Sequence, residues 1–353
     1  MARRRRKWQD GAVCKRLLIF LLFPLLAACP KYPDAGAKQY QSRTTMALPR
    51  GVSVNVAGGN LMLRRTDLSV DTFVGEFGVG PVFNSATNSW HFNIEMSYGW
   101  RPVPRPQGGF RQALVFMDPL GAELRVEMVA DETRVKGTRW VKLDDHRMKT
   151  LGGLVHEFGT DGVLAAIYWH GSAARARLVF DTNGTTTTIR QCLNQTNCKT
   201  IFMVLREAGR IVRVRGSRAG SGEATYAWDL AGRLKYARSA FDNELDNAGT
   251  KYVSTESSLH IVSPEGDSLT ATFANLPLVG LHGRTQEVLY HGEGDPTWTF
   301  AYGKAQGSDP VQYWTRTTNA AGESTVHRYD KQGRVAAIEY PGGESESFVW
   351  VLP

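Results

Sequence analysis

The sequence predicts an all-β protein, a sheet of consecutive antiparallel hairpins, and three observations carry that prediction. Glycine supplies 36 of 353 residues, about one in ten against a usual ~7%, as expected of a chain that turns often. Threonine and aromatic residues, which fit a pleated and half-buried surface, are frequent throughout. Apolar and polar residues alternate over short runs, and no stretch sustains the 3.6-residue period of a helix.

The chain opens on Arg3-Arg4-Arg5-Arg6-Lys7 and Lys15-Arg16, followed by the apolar run LLIFLLFPLLAAC from Leu17 to Cys29. That run is about a dozen residues, whereas a spanning helix needs roughly 20. A basic start, a short apolar segment and small residues before a cleavage point make a secretory signal. Its ending, Leu26-Ala27-Ala28-Cys29, resembles the lipobox of bacterial lipoproteins. The resemblance implies that residues 1–28 are a signal peptide and that Cys29 is acylated as the first mature residue. It also implies a bacterial cell envelope location, anchored to the membrane by lipid. Pro30 is not the aspartate associated with inner-membrane retention, so the outer membrane is expected over the inner.

With the signal set aside, the basic charge largely disappears. Residues 1–28 hold seven of the 42 Lys and Arg and one of the 34 Asp and Glu, which leaves a net of about +2. The remaining cations are scattered singly, without the basic block that tracks phosphates, so no nucleic-acid partner is expected. Cys14 falls within the signal and Cys29 carries the lipid, leaving Cys192 and Cys198. An even pair in an oxidising compartment is expected to form a disulfide, closing a short loop for about 2 kcal/mol. Structural zinc wants four ligands, so two cysteines alone do not suggest a metal.

From Cys29 to residue 50 the chain is small, polar and proline-bearing, and reads as a tether. The folded region is expected from Gly51, as an N-terminal β region over 51–215 and a repeat-bearing β region over 223–353. The glycine- and serine-rich run Gly216 to Gly222 either divides them or forms a long hairpin loop. In the first region Leu124, Val126 and Met128 alternate with charged residues, the signature of a half-buried strand. In the second, Leu259-His260-Ile261 and Leu269 to Phe273 flank Pro264-Glu265-Gly266-Asp267, which predicts a hairpin.

Two segments share a tighter pattern: Tyr226-Ala227-Trp228-Asp229-Leu230-Ala231-Gly232-Arg233-Leu234 and His327-Arg328-Tyr329-Asp330-Lys331-Gln332-Gly333-Arg334-Val335. In each, aromatic residues face one side of a strand, an aspartate opens a turn, and glycine supplies positive φ before the return strand. Gly232 and Gly333 take that last position. This pattern resembles the YD repeat of the Rhs (rearrangement hotspot) family. Degenerate copies are read at Asp118-Pro119-Leu120-Gly121 and at Phe180-Asp181-Thr182-Asn183-Gly184, with a fainter turn at Asp161-Gly162. Upstream, Gly59-Asn60-Leu61, Thr66-Asp67-Leu68 and Phe83-Asn84-Ser85 resemble the opening of Rhs-type proteins. The resemblance implies YD-type turns in a curved or partly closed sheet. Two sharp repeats are too few to enclose a cargo, so a filled toxin capsule is not expected.

No nucleophile stands in a glycine-flanked elbow, and no cofactor is expected. His156-Glu157 lacks a second histidine at zinc spacing, and Asp144-Asp145-His146 reads as a solvated turn. Asp242 to Asn247 alternates oxygen ligands without the glycine and closing glutamate of a calcium loop, so no metal is assigned. Trp90, Trp100, Trp140, Trp169, Trp298 and Trp314 either pack the core or line a groove for glycan or peptide. The leading expectation is a non-enzymatic envelope protein that scaffolds a surface component, with an envelope protein or carbohydrate as ligand. The alternatives are an accessory of an Rhs-type toxin system and, less favoured, an envelope hydrolase.

Overall fold

In the computed structural model the described residues are 5–7, 45–56, 58–104, 110–121, 123–129, 132–135, 140–171, 176–217, 222–239, 249–274, 284–291, 297–304, 311–330 and 334–349. They form strands and turns, with no helix among them. The signal run, Cys29 and residues 30–44 of the expected tether lie outside them; residues 45–50 of that range are described, with Thr45–Ala47 as a strand and Leu48 in the core.

The alternation seen in the sequence becomes one long meander. Every strand from Ser97–Pro104 to Ser345–Val349 pairs antiparallel with the strand that follows it in the chain. Arg210–Gly216 and Glu223–Trp228, the strands on either side of the glycine- and serine-rich run, form one of these pairs. Cys192 and Cys198 face each other across another and are joined by a disulfide. Of the residues read as an alternating strand, Leu124 is buried and Val126 half-buried within Glu123–Val129. The first and last strands of the meander do not pair with each other among the described residues, so the sheet stays open. Arg5–Lys7 adds a parallel strand beside Ser345–Val349.

A second, smaller meander precedes it: Thr45–Ala47, Val52–Asn55, Asn60–Arg64, Pro81–Asn84 and Ser89–Phe92. It touches the long sheet by strand pairing at Asn60 and Arg284. Between its third and fourth strands, Leu68–Thr72 and Gly75–Val79 form a separate ribbon. Successive residues of a strand point to opposite faces, so a strand whose residues are all buried is covered on both sides. Pro81–Asn84 is such a strand, buried at all four positions. Val52, Val54, Leu61 and Leu63 are buried nearby.

The cover comes from the long sheet, and the contacts run in order. Along the N-terminal segment, Val56 accepts from Thr315 and Gly59 from Thr285, and then Phe83 stacks on Phe273. Trp90 meets Tyr252, Phe92 meets Tyr226, Glu95 pairs with Arg206, and Tyr98 donates to Gly162. From Val56 onward these partners step backward through the meander, while the excursion at residues 65–79, between Gly59 and Phe83, departs from that order to reach Tyr252, Tyr226, Phe202 and Phe180. The segment is therefore a spine laid across the inner face of a curved sheet. A single hydrophobic cluster extends from Leu48 to Phe300 and includes residues of both layers.

Phe83 is fully buried between the two layers, against Trp90 and Phe273. Phe83→Ala should lower unfolding free energy by about 3–5 kcal/mol in urea denaturation. Leu230→Ala, at a turn residue that is fully exposed, should stay within about 0.5 kcal/mol. Equal effects of the two would contradict the two-layer arrangement.

Candidate functional site

The repeat turns have one geometry, and the chain uses it more widely than the sequence pattern suggests. At Asp229, the backbone N–H donates to the Arg233 carbonyl, and Gly232 donates back to the Asp229 carbonyl. The Asp229 carboxylate then accepts the Arg233 N–H at 2.7 Å. The same pair of backbone bonds joins Thr150 to Leu154, Gly159 to Val163, Ser263 to Asp267, Asn319 to Glu323 and Tyr340 to Glu344. In each of these the fourth residue is a glycine with positive φ: Gly153, Gly162, Gly232, Gly266, Gly322 and Gly343. This is the three-residue hairpin in which a type I turn ends on a left-handed bulge. Gly333 lies outside the described residues, but the Asp330 N–H still donates to the Arg334 carbonyl, and its carboxylate accepts the Arg334 N–H at 2.9 Å and pairs with the guanidinium at 2.7 Å. A Cβ at Gly232 would also displace the Arg210 guanidinium.

One degenerate copy differs from the reading. The strand Arg177–Asn183 continues past Asp181, and Asn183 pairs directly with Thr186. Gly184, with positive φ, takes the first central position of a two-residue hairpin, which moves the turn two residues beyond the aspartate. Asp181 instead pairs across the strands with Arg190. The copy at Asp118 does form a turn, with Asp118 accepting from the N–H of Leu120 and of Gly121.

The structure brings the two classes of motif together. Asn60 of Gly59-Asn60-Leu61 accepts from the Ser85 hydroxyl at 3.1 Å and the Ala86 N–H at 3.0 Å, and Ser85 accepts from Leu61 N–H at 2.9 Å. Asp67 of Thr66-Asp67-Leu68 is completely buried and pairs with Arg65. It accepts from the Tyr226 hydroxyl at 2.9 Å, and its carbonyl accepts from Ser239 at 3.2 Å. Arg65 also donates to Thr250 and to Tyr252. Burial and then the Asp67 charge push the Tyr226 hydroxyl well above the usual tyrosine range. Burial raises Tyr252 as well, opposed by the Arg65 charge. This cluster locks the spine to the first sharp repeat. The sequence displays both motifs, yet nothing in it says that they touch, since 159 positions separate Asp67 from Tyr226.

The chemistry of this lock is structural. Its carboxylate already has a guanidinium and a phenol, and both tyrosines are held protonated. Among the described residues no group of three or more His, Cys, Asp or Glu is placed to hold a metal. His156 is buried against Trp140 at 4.7 Å between ring centres, and burial lowers it to about 3. Asp144 and Asp145 pair with Arg147 and Lys142 in an exposed turn. Asp242 to Asn247 lies outside the described residues.

The tryptophans do not share a groove. Trp90 is buried in the spine, Trp140 packs on Phe116 and His156, and Trp298 packs against the core. Trp314 sits opposite Gly303 on the neighbouring strand, its ring where a Cβ of that glycine would be. Trp169 is partly exposed and donates to the Phe73 carbonyl. Only Trp100 of the six is mainly exposed, at 71%.

Asp67→Ala takes the carboxylate from a part-buried guanidinium and a buried phenol, so it should cost about 3 kcal/mol, against about 1 kcal/mol for Tyr226→Phe. Urea unfolding of both variants checks the order. A smaller loss for Asp67→Ala than for Tyr226→Phe would refute the lock. His156 makes stability depend on acid. Its folded value of about 3 lies below the ordinary 6.5, so below pH 6.5 the unfolded chain takes up a proton that the folded chain refuses. Stability should fall as pH drops from about 6.5 towards 3, and His156→Phe should reduce that fall. Urea midpoints at pH 7.5 and 4.5 for both proteins give the comparison; an undiminished slope in the variant rules the effect out.

No family model matches the chain. No curated protein matches it. Among solved structures, a porin-like protein from Bacteroides vulgatus aligns with 73% of this chain and 98% of its own length, at 12% identity and a TM-score of 0.13. Likeness at that level carries no argument about architecture or role.

Proposed function

We propose that the protein is a lipid-anchored, non-enzymatic component of the bacterial cell envelope whose β scaffold presents a surface to other envelope components. The observation that carries this reading is the segment LLIFLLFPLLAAC, ending in Leu26-Ala27-Ala28-Cys29. A basic start and a run too short to span make it a cleaved signal, and the final cysteine resembles a lipobox. The interior supports a scaffold over a container. The inner face of the sheet is filled by the protein's own spine, through Phe83, Trp90, Phe92 and their partners. Buried polar groups are spent on joining the layers, as at Asp67.

A second reading, an accessory of an Rhs-type toxin system, has a specific observation behind it. The upstream segments that resemble the Rhs opening bond to each other and, through Asp67 and Tyr226, to the repeat that resembles YD. Cross-linked native envelopes analysed by mass spectrometry separate the two. A large Rhs-type protein among the partners favours the accessory, and any other stoichiometric envelope partner favours the scaffold.

The anchor is tested by Cys29→Ala. A thiol-linked diacylglycerol buries dozens of CH₂ groups at about 0.8 kcal/mol each, which makes attachment effectively permanent. The variant should accumulate unprocessed or be released from the membrane fraction. Membrane retention at mature size, unchanged from the parent, would disprove lipidation at this cysteine.

A further inference from the structure

A departure from a covered core lies at the start of the long meander. Ser97–Pro104 and Phe110–Met117 pair along eight positions, yet the next strand, Glu123–Val129, pairs only with residues 115–117 of this hairpin. On the other side, the described contacts of Ser97–Pro104 stop at Tyr98, whose N–H donates to Gly162, and at a bridge from Ser97 to Val163. Residues 100–104 and 110–114 therefore extend beyond the neighbouring strands as a two-stranded ribbon, about 16 Å long at 3.3 Å per residue, with Leu114 at its base still against the core.

Its two faces differ in kind. Trp100, Pro102, Phe110, Gln112 and Leu114 follow the parity of Tyr98 and Phe116, which are buried at the root. Beyond the root that apolar face emerges from the core, with Trp100 at 71% and Phe110 at 69% exposure. The opposite face carries Arg101 and Arg111 with the smaller Val103 and Ala113. Arg101 is ion-paired with Glu123 at 2.8 Å, and Arg111 is exposed.

The edge of Ser97–Pro104 is poor in donors for strand addition. The Tyr98 N–H points away from its hairpin partner, toward Gly162. In an antiparallel ladder, alternate residues share that direction, so positions 100, 102 and 104 follow it outward. Trp100 supplies an N–H there, and Pro102 and Pro104 have none. What the ribbon offers is a face of tryptophan, phenylalanine and proline with arginines behind it. Aromatic rings with a flanking cation are the chemistry of the bilayer interface. The chain between Cys29 and Thr45 spans at most about 55 Å, so an anchored body stays within reach of the bilayer.

We propose that this ribbon docks on an anionic bilayer surface, with Trp100 and Phe110 in the interfacial region and Arg111 toward lipid phosphates. This rests on the envelope reading for its setting, and its test does not need the lipid anchor. The chain from Pro30 to Pro353 holds every residue of the packed core, which begins at Leu48. That form, without signal or acyl chains, is sedimented with phosphatidylethanolamine–phosphatidylglycerol vesicles and with phosphatidylcholine vesicles. Binding is expected on the anionic vesicles, and the Trp100→Ala/Phe110→Ala double variant should weaken it about tenfold or more. Arg111→Gln should weaken it less, and only at low salt. An unchanged circular dichroism spectrum shows that the double variant is folded. No binding by the parent protein, or equal binding by the double variant, overturns the proposal. Self-association in solution that the double variant abolishes, without vesicle binding, also overturns it and assigns the face to a second copy of the chain.

Discussion

A sheet must bury one face, and this chain has no helix among its described residues to cover it. Everything else in the structure follows from how that face is covered. The meander from Ser97 to Val349 is a row of local hairpins, and each hairpin fixes only its own register. None of them supplies a second layer. The N-terminal segment does, by laying strands buried on both faces, such as Pro81–Asn84, against the concave side. Burying side chains such as Phe83, Phe92 and Leu61 at roughly 1.5–3 kcal/mol each makes this the dominant favourable interaction between the layers.

Apolar packing alone is tolerant of slippage, since one buried leucine resembles another. The polar contacts between layers are less forgiving. Asp67 is fully buried and needs Arg65 and Tyr226 together. Thr285 donates to the Gly59 carbonyl, and Thr315 donates to that of Val56. A shift of the spine by one residue would turn each strand over and leave such groups unpaired in the interior. The lock at Asp67 thus contributes more to selecting one arrangement than to total stability. Buried ion pairs are weak as stabilisers but strong against misplacement once one partner is missing.

Much of the fold was legible in the sequence, because hairpins are local. The Pro264 to Asp267 turn, the cysteine pair and the Asp229 turn each declare themselves within a few residues. The turn at 319–323 did not, because asparagine replaces the aspartate while its Oδ1 accepts the same bonds. At Asp181 the reading placed the turn two residues early, because Gly184 competes for it. The spine was not legible at all. Its strands carry alternation or short apolar runs like any others, and only burial on both faces distinguishes them. Equally hidden was the meeting of Asp67 with Tyr226. The residues were singled out, but as members of two separate motifs.

The order of the spine contacts bears on how such a chain assembles. Partners run from Thr315 for Val56 back to Gly162 for Tyr98, so the sequence separation shrinks from 259 positions to 64 along the spine. Local hairpins form on the microsecond scale. Long closures come later, because loop entropy must be met before the contact rewards it. The end of the spine near Tyr98 is therefore the cheapest place to begin joining the layers. From there, each added rung shortens the effective loop for the next, through Phe92 with Tyr226 and Trp90 with Tyr252, toward Phe83 with Phe273. The Asp67 lock stands outside this order, because Asp67 precedes Phe83 in the chain yet meets Tyr226, the partner of Phe92, and there it rejects a wrong register. Reverse ordering thus turns a set of distant contacts into a sequence of nearer ones, and a sheet of this length can reach a single arrangement without a helix to template it.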